Sequence, residues 1–364
     1  MRLSPELLKV YSNESRTAAQ AQRAAQEIAF APVVFQVSRI MVKSGLLEFI
    51  RDSENGADID EIKGNFNFSD YTIKCLLEAS LSIGTVKIEG ERFKLTKTGW
   101  FLLEDESIRS NMDFNHDVNY LGMFHLEESL INGKPEGLKV FGEWPTIYEG
   151  LSSLPPQVQK SWFGFDHLYS DKAFNSALET IFSRPSQVKK ILDVGGNTGR
   201  WALECVKFNR EVEVTVMDLP QQIEMMRDNV AGKDGAERIH GYACNLLDKD
   251  ARFPSEHFDI LWMSQFLDCF SPKQISDICS HAALSMDDAC RLYIMEPFWD
   301  RQKYETSAYC LTLTSPYFTA MANGNSKMYH SEEFKGFIEN SGLIVEKIVD
   351  GLGLGHSIMI CRKK

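Results

Sequence analysis

From Gln187 onward, short runs rich in Val, Ile and Leu alternate with helical stretches, and this alternation constrains the fold more than any other feature of the chain. The runs are KKILDVGG, EVEVTVMD, RIHGYACN, FDILWMSQ and CRLYIMEP, each followed by a polar or glycine-containing segment and then a helical stretch. This order is typical of a parallel sheet covered by helices. In the tail, SEEFKGFIENSG predicts a capped helix, and LIVEKIVD and HSIMICRK predict two antiparallel strands at the sheet edge.

The first run leads into a glycine-rich turn, Asp193-Val194-Gly195-Gly196-Asn197-Thr198-Gly199. Glycines directly after a buried strand let the backbone turn tightly beside a helix N-terminus, where open α/β sheets bind their ligands. A dinucleotide fingerprint would need glycine at Val194, and the carboxylate of Asp193 would oppose a pyrophosphate. The turn therefore predicts a site for a cofactor that carries positive charge.

The second run ends in Met217-Asp218-Leu219-Pro220. An acid at this position can accept hydrogen bonds from both hydroxyls of a ribose. Either Asp193 or Asp218 alone would also suit a helix cap or a turn. The two acids together, with no lysine in the glycine turn, favour S-adenosyl-L-methionine, whose amino and sulfonium groups are cationic.

Residues 32–103 have the order of a winged helix, with three short helices followed by a hairpin. Gly45 interrupts the first apolar segment, and Asp58 and Ser69 are candidate N-caps. Gly84 is a candidate helix stop, and strands alternate in polarity on either side of Glu89-Gly90. We expect domains at 1–105 and 187–364, joined by a helical region at 106–186.

Charge argues against the DNA binding that a winged helix often performs. Residues 1–105 hold 13 basic and 15 acidic side chains, and the whole chain has a formal net charge of −12. Such a balance disfavours phosphate contacts, so we expect a dimerisation domain with no nucleic acid partner. The eight cysteines are far apart, which predicts reduced thiols and no metal site. Without an apolar leader or an apolar run of about 18 residues, the chain is expected to be cytoplasmic with no membrane partner.

Four motifs, ILDVGGNTG, MDLP, WMSQFLDCF and IMEP, give the chain a family resemblance. It resembles the small-molecule O-methyltransferases of the caffeate, hydroxyindole and bacterial antibiotic-tailoring type, and LTKTG is similar to the wing of their dimerisation domain. The resemblance implies an α/β fold with a Rossmann-like class I methyltransferase domain and an N-terminal winged-helix dimerisation domain. It also implies a homodimer whose N-terminal helices help close the partner's active site. More loosely, SQFLDCF, EPFWDRQ and ANGNSKMY resemble methyltransferases of aryl-polyene pigment clusters.

The resemblance assigns cofactor-binding roles to residues around the strand ends. Asp218 falls on the ribose-binding acid, Leu219 lies against the adenine, and Asn245 would bond the adenine amine through its carbonyl oxygen. The predicted cofactor-binding residues are Asp193, Gly195, Gly196, Asn197, Gly199, Asp218, Leu219, Asn245, Leu246, Ser264 and Gln265.

The catalytic position departs from the family. Its base, a histidine, falls on Asp268, and its two supporting glutamates fall on Glu296 and Met328. An ordinary Asp pKa of about 3.9 lies roughly six units below that of a phenol, a gap of about 8 kcal/mol against full proton transfer. Burial beside Phe266 and Phe270, with Glu296 nearby, would raise the pKa of Asp268. We predict Asp268 and Glu296 as catalytic residues, with His167 as a substitute base.

The acceptor is expected to be small, aromatic and phenolic. Helix SPYFTAMANG, which lines the acceptor pocket in the resembling enzymes, supplies Tyr317, Phe318 and Met321, and the 106–186 region supplies Tyr169. Two alternatives remain: methylation of an aromatic ring carbon, and a cofactor-binding regulator or inactive binding protein.

Overall fold

The computed structural model describes residues 3–183 and 188–364, which divide into two compact units. One unit is formed by residues 13–117, and the other by residues up to Ser12 together with those from Val118 to the end. The first boundary therefore differs from the expected one at residue 105, because helix Glu106–Phe114 belongs to the N-terminal unit. The expected boundary between residues 186 and 187 lies outside the described residues.

Helix α1 (Pro5–Tyr11) precedes the N-terminal unit and belongs to the other one. The helices of the N-terminal unit are α2 (Ala18–Ala29), α3 (Ala31–Lys43), α4 (Leu46–Asp52), α5 (Ile59–Asn65), α6 (Asp70–Ile83), α7 (Lys97–Glu104) and α8 (Glu106–Phe114). Strands β1 (Val86–Glu89) and β2 (Arg92–Leu95) form an antiparallel hairpin. The winged-helix order of the sequence is thus present.

Local signals fix the ends of these helices. The Asp58 carboxylate accepts the Glu61 N–H at 2.9 Å in a capping box, and Ser69 caps α6. Gly84 ends α6 in the left-handed conformation with a φ of +88°. In the LTKTG segment, Leu95 ends β2 and pairs with Val86, and Thr96 then accepts the Gly99 N–H at 3.2 Å as the N-cap of α7.

The other unit contains the 26-residue helix α11 and the main sheet. After α8, its helices are α9 (Leu126–Asn132), α10 (Ile147–Gly150), α11 (Pro156–Ile181), α12 (Arg200–Phe208), α13 (Pro220–Val230), α14 (Pro272–Ser285), α15 (Glu305–Tyr317) and α16 (Ser331–Asn340). Its strands are β3 (Lys190–Val194), β4 (Glu213–Asp218), β5 (Ile239–Ala243), β6 (Ile260–Ser264), β7 (Arg291–Glu296), β8 (Leu343–Leu352) and β9 (His356–Lys363).

Within the described residues, these strands form one sheet in the order β5-β4-β3-β6-β7-β9-β8. The first five are parallel, β9 is antiparallel to β7, and β8 lies antiparallel at the edge, which confirms the predicted sheet and its edge pair. The segment between β5 and β6 differs, because it contains no helix. An Asx turn at Asn245 and the proline at 254 occupy that short connection.

Buried apolar side chains pack on both faces of the sheet, as the continuous hydrophobic strands require. Trp201 on α12 stacks on Trp262 of β6 with ring centroids 4.7 Å apart. This packing fixes α12, and with it the glycine turn that precedes α12, against the carboxyl end of β3. None of the helices seen in residues 3–183 and 188–364 has the length and apolar character needed to cross a membrane.

Candidate active site

The glycine turn has the conformation that the sequence predicts. Gly195 has a φ of +77° and donates its N–H to the Met217 carbonyl at 2.8 Å. A Cβ atom at Gly195 would lie 2.2 Å from Cδ2 of Phe266. Gly199, with a φ of +72°, is the N-cap of α12. Only glycine fits the strained position at 195, so the backbone can approach a ligand there.

Asp193 is buried at the end of β3, and its Oδ2 atom has no hydrogen-bond partner among the residues that the structure describes. Burial, and then the charge of Asp218, raises the pKa of Asp193 to about 8. A Cβ atom at Gly196 would lie 2.4 Å from that oxygen, so glycine leaves the carboxyl group room. A buried carboxyl oxygen without a partner suits a ligand that brings a hydrogen-bond donor or a positive charge.

Asp218 stands at the end of β4, where its carboxylate joins two turns. Oδ2 accepts the Asn197 N–H at 2.8 Å, and Oδ1 accepts the Leu219 N–H at 2.7 Å. Burial raises the pKa of Asp218, while these two backbone bonds oppose that effect. Each oxygen retains a lone pair, so the side chain is held in place and can still accept two ribose hydroxyls.

Replacement of Asp218 by Ala should weaken S-adenosyl-L-methionine binding by roughly 10- to 100-fold, because a hydrogen bond to a charged group contributes about 1.5–3 kcal/mol. Titration calorimetry on the purified protein measures the affinity for S-adenosyl-L-methionine. The matched control is Asp228→Ala, which removes an exposed acid from α13 and should leave affinity unchanged. Equal affinity in both variants would remove Asp218 from the site.

The side chain of Asn245, which is expected to contact the adenine, already makes hydrogen bonds within the protein. Its Oδ1 accepts the Leu247 N–H at 3.1 Å, and its Nδ2 donates to Asp248 at 3.1 Å. One lone pair of Oδ1 therefore remains for a ligand. Leu219 and Leu246 are half-buried beside the same strand ends.

Ser264 ends β6, and Gln265 follows it with a φ of +45°, a strained value for a residue other than glycine. Two contacts hold Gln265 there: its N–H donates to the Met295 carbonyl at 2.9 Å, and its Oε1 accepts from Nε2 of His356 at 3.0 Å. Burial lowers the pKa of His356 to about 4, so this imidazole is neutral at physiological pH. The histidine contact was not foreseen, because the two residues are far apart in sequence.

Of the predicted catalytic acids, Asp268 lies in the short 3₁₀ turn Leu267–Cys269 that follows, and Glu296 lies at the end of β7. Glu296 accepts the N–H groups of Phe266 at 3.1 Å and Leu267 at 2.9 Å through Oε1. Its Oε2 is buried and has no hydrogen-bond partner in the described part of the chain. Burial and the charge of Asp268 raise the pKa of Glu296 well above its ordinary value. Glu296 therefore supports the turn that carries Asp268.

Asp268 is only 5% exposed, and its Oδ1 accepts a hydrogen bond from the Cys269 thiol at 3.4 Å. Burial raises the pKa of Asp268 to about 6. Asn323 donates its Nδ2 to the Cys269 carbonyl at 2.6 Å, and Tyr329 donates its hydroxyl to the Phe270 carbonyl at 2.7 Å. Sequence reasoning missed both of these supports, although both lie in the ANGNSKMY segment.

The electrostatic neighbours of Asp268 include a residue of helix α11 that the sequence did not single out. Asp166 is an electrostatic neighbour of Asp268, whereas the groups that act on the neighbouring His167 are Arg200 and Asp171. Burial, and then Arg200, lowers the pKa of His167. The structure thus brings an unforeseen acid, Asp166, toward Asp268.

Among the predicted acceptor residues, Tyr317 is an electrostatic neighbour of Asp166 and Asp268. It is buried, and its hydroxyl accepts from Nε1 of Trp162 at 2.7 Å. Burial raises the pKa of Tyr317, with smaller contributions from Cys269, Asp166 and Asp268. The other three pack mainly on neighbours: Phe318 on Tyr317 (centroids 5.2 Å apart), Tyr169 on Phe165 (4.9 Å), and Met321 against Gly122.

Comparisons with known proteins match two regions of the chain. Residues 22–93 match the Dimerisation2-like domain, and residues 165–343 match the O-methyltransferase domain. A bacteriochlorophyllide d C-20 methyltransferase from Chlorobaculum tepidum is 21% identical over 234 residues, which are 62% of this chain and 64% of that protein. The chain therefore spans less than two thirds of this curated relative.

Two solved structures share the fold. The S-adenosylmethionine-dependent methyltransferase SibL, in its apo form, superposes with a TM-score of 0.71 at 19% identity, over 93% of this chain and 98% of that one. Mitomycin 7-O-methyltransferase MmcR also superposes with a TM-score of 0.71, at 17% sequence identity, over 95% of this chain and 98% of that one. Through residues 165–343 the chain is similar to O-methyltransferases, and through residues 22–93 it is similar to the Dimerisation2-like domain.

Proposed function

We propose that this protein methylates a hydroxyl group of a small phenolic acceptor, with S-adenosyl-L-methionine as the methyl donor. The observation that carries the proposal is the burial of Asp268, the residue on which the resemblance places the family's base. At a pKa of about 6 it is ionised at neutral pH and is a far stronger base than an ordinary aspartate. The difference between the pKa of Asp268 and that of a phenol narrows to about four units, or roughly 5 kcal/mol against full proton transfer.

Asp218 would hold the ribose of the cofactor, and the glycine turn would approach it through its backbone. The carboxyl group of Asp193, directly before that turn, would offer its free oxygen to the cofactor. The partnerless Oδ2 of Asp193 and the space left by Gly196 support this fit. When bound, the cofactor supplies an electrophilic methyl group. The chain itself positions the acceptor, excludes water around the buried acids and takes up the acceptor's proton at Asp268. Because burying these acids is costly without a function, the inactive binding protein is the weaker alternative.

Ring-carbon methylation is the second candidate. It is favoured by the curated relative, whose name describes a methyl transfer to carbon C-20, and by a carboxylate in place of the family's histidine. Asp268 would then hold a phenol by a hydrogen bond while an adjacent ring carbon is methylated. The aryl-polyene branch and the cytoplasmic location stay predictions.

Isotopic labelling separates the two reactions. The purified protein is incubated with a panel of phenols and cofactor carrying a ¹³C-methyl group, and products are examined by mass spectrometry and carbon NMR. An aryl methyl ether is cleaved by boron tribromide, whereas a methyl group on a ring carbon is not. Label lost on cleavage supports the proposal, and label retained favours ring-carbon methylation. No labelled product from the whole panel would contradict both.

We also propose a homodimer built largely from residues 1–105. Helices in this region carry exposed apolar side chains, including Ile28 at 78%, Phe30 at 58% and Val33 at 57%. Such surfaces in a matched dimerisation domain are expected to be covered by a second copy. Sedimentation at micromolar concentration should give a dimer mass, and Ile28→Glu combined with Val33→Glu should give a monomer. The control is Leu284→Glu, at a 79% exposed leucine of α14, which should stay dimeric. A monomeric wild-type protein would contradict the proposal.

A further inference from the structure

The hairpin between β8 and β9 is rich in glycine, and close packing requires two of its glycines. A Cβ atom at Gly353 would lie 2.7 Å from a backbone nitrogen of α11, and one at Gly355 would overlap Oε1 of Gln302. Gln302 is buried and donates its Nε2 to the Gly355 carbonyl at 2.7 Å and to the Phe298 carbonyl at 2.8 Å. The backbone of the hairpin is therefore fixed immediately before His356.

His356 begins β9 at the carboxyl edge of the parallel strands. Because β9 is antiparallel to β7, Ser357 pairs with Glu296, the last residue of β7, and His356 stands just beyond that pair. Its side chain is only 1% exposed. Its Nε2 lies 3.0 Å from Oε1 of Gln265, which follows β6 at the same edge. The histidine thus reaches a residue that is predicted to bind the cofactor.

The imidazole of His356 makes one hydrogen bond to the residues that the structure describes. The ring is neutral at physiological pH, and an amide oxygen can only accept, so the single ring proton is on Nε2. Nδ1 is then a buried acceptor without a partner in the described ranges. Burial of such a ring is unfavourable, and the bond to Gln265 is what compensates for part of that cost.

Gln265 occupies a position that needs support, because a φ of +45° is strained for a residue other than glycine. Its conformation sets the direction in which the chain leaves β6. The next residue, Phe266, donates its N–H to Glu296 at 3.1 Å, and its ring would overlap a Cβ atom at Gly195. A change at Gln265 is therefore transmitted both to the glycine turn and to the 3₁₀ turn that carries Asp268.

We propose that His356 is a positioning residue, whose Nε2–H holds the side chain of Gln265 and so keeps the backbone at that residue in the left-handed conformation that orders the cofactor site. This inference rests on the proposed function, in which S-adenosyl-L-methionine binds at this edge of the sheet. His356 acts only through Gln265. Its effect should therefore disappear when residue 265 adopts the left-handed conformation without help.

Hydrogen–deuterium exchange of the protein without cofactor tests the support itself. The backbone N–H groups of residues 265–267 donate to the Met295 carbonyl and to Glu296, which protects them from exchange. His356→Phe keeps a planar ring but removes the donor, so a peptide covering 264–270 should exchange about 3- to 10-fold faster. His356→Gln, whose amide can donate from about the place of Nε2, should restore most of the protection.

The matched control is Ser357→Ala. Ser357 is the next residue of β9 and is equally buried, and the substitution removes one hydrogen bond of 2.8 Å, to Asp350. Because that bond points away from Gln265 to another partner, exchange in the 264–270 peptide should stay at the wild-type rate. Wild-type exchange in His356→Phe, or the same increase in both variants, would overturn the proposal.

A double-mutant cycle on cofactor affinity tests the route through Gln265. With Gln265 present, His356→Phe should weaken S-adenosyl-L-methionine binding by about tenfold in titration calorimetry. Glycine adopts the left-handed conformation freely, so in Gln265→Gly the same substitution should cost less than about twofold. An equal loss in both backgrounds would overturn the proposal, since the histidine would then act through general stability. If the wild-type protein binds no S-adenosyl-L-methionine, the proposed function fails, while the exchange result still decides whether His356 holds Gln265.

Discussion

Asp268→Asn should abolish most turnover, by about 10²- to 10⁴-fold in kcat, and leave the affinity for S-adenosyl-L-methionine unchanged. The amide keeps the shape and the hydrogen-bonding reach of the side chain but cannot accept a proton. Initial rates with a labelled methyl donor and titration calorimetry measure the two effects. The wild-type kcat/KM should fall as the pH drops through about 6, because Asp268 is then protonated and cannot act as a base.

His167→Gln is the matched comparison. His167 lies one residue beyond Asp166 on α11, and its surroundings favour the neutral imidazole that a base requires. If His167 were the base, His167→Gln would cost most of the turnover and Asp268→Asn little, and the acid limb of the pH profile would disappear with the histidine. Full activity in Asp268→Asn would show that the family's catalytic position is not used in this protein.

Elements whose signals are local in sequence were predictable. The strands β3 to β7 appear as apolar runs, and Asp58, Ser69 and Gly84 determine helix ends through bonds to residues a few positions away. The glycine turn was equally predictable, because strand, glycines and helix follow one another directly. These features depend on backbone conformation and need no knowledge of tertiary packing.

Features that depend on the rotation of a helix or on distant partners were not predictable. In FDHLYSD the histidine is the conspicuous base, yet Asp166 is the electrostatic neighbour of Asp268, four residues after the Trp162 that forms a hydrogen bond with Tyr317. Nothing in the sequence reports that bond, since its partners are 155 positions apart. The same holds for His356, which binds Gln265 across 91 positions.

Gly195→Ala should destabilise the protein and disrupt the site more than any conservative change elsewhere in the turn. A φ of +77° costs an alanine about 1–2 kcal/mol, and its Cβ would lie 2.2 Å from Cδ2 of Phe266. Phe266 immediately precedes the 3₁₀ turn that carries Asp268. Relief of this overlap must therefore move either the glycine turn or the 3₁₀ turn. Thermal unfolding should show a loss of about 2–4 kcal/mol, and calorimetry should show weakened cofactor binding.

Two further variants isolate the cause. Gly336→Ala places the same methyl group inside α16, where nothing lies within 4 Å, and should stabilise the protein by about 0.5–1 kcal/mol. In Gly195→Ala combined with Phe266→Leu the aromatic ring is absent, so only the backbone strain should remain and the two effects should be less than additive. Strict additivity would mean that the ring does not meet the new methyl group. Any coupling between the glycine turn and the 3₁₀ turn would then have to pass through the backbone of Gln265. Contacts with Met295 and His356 hold that backbone in its left-handed conformation.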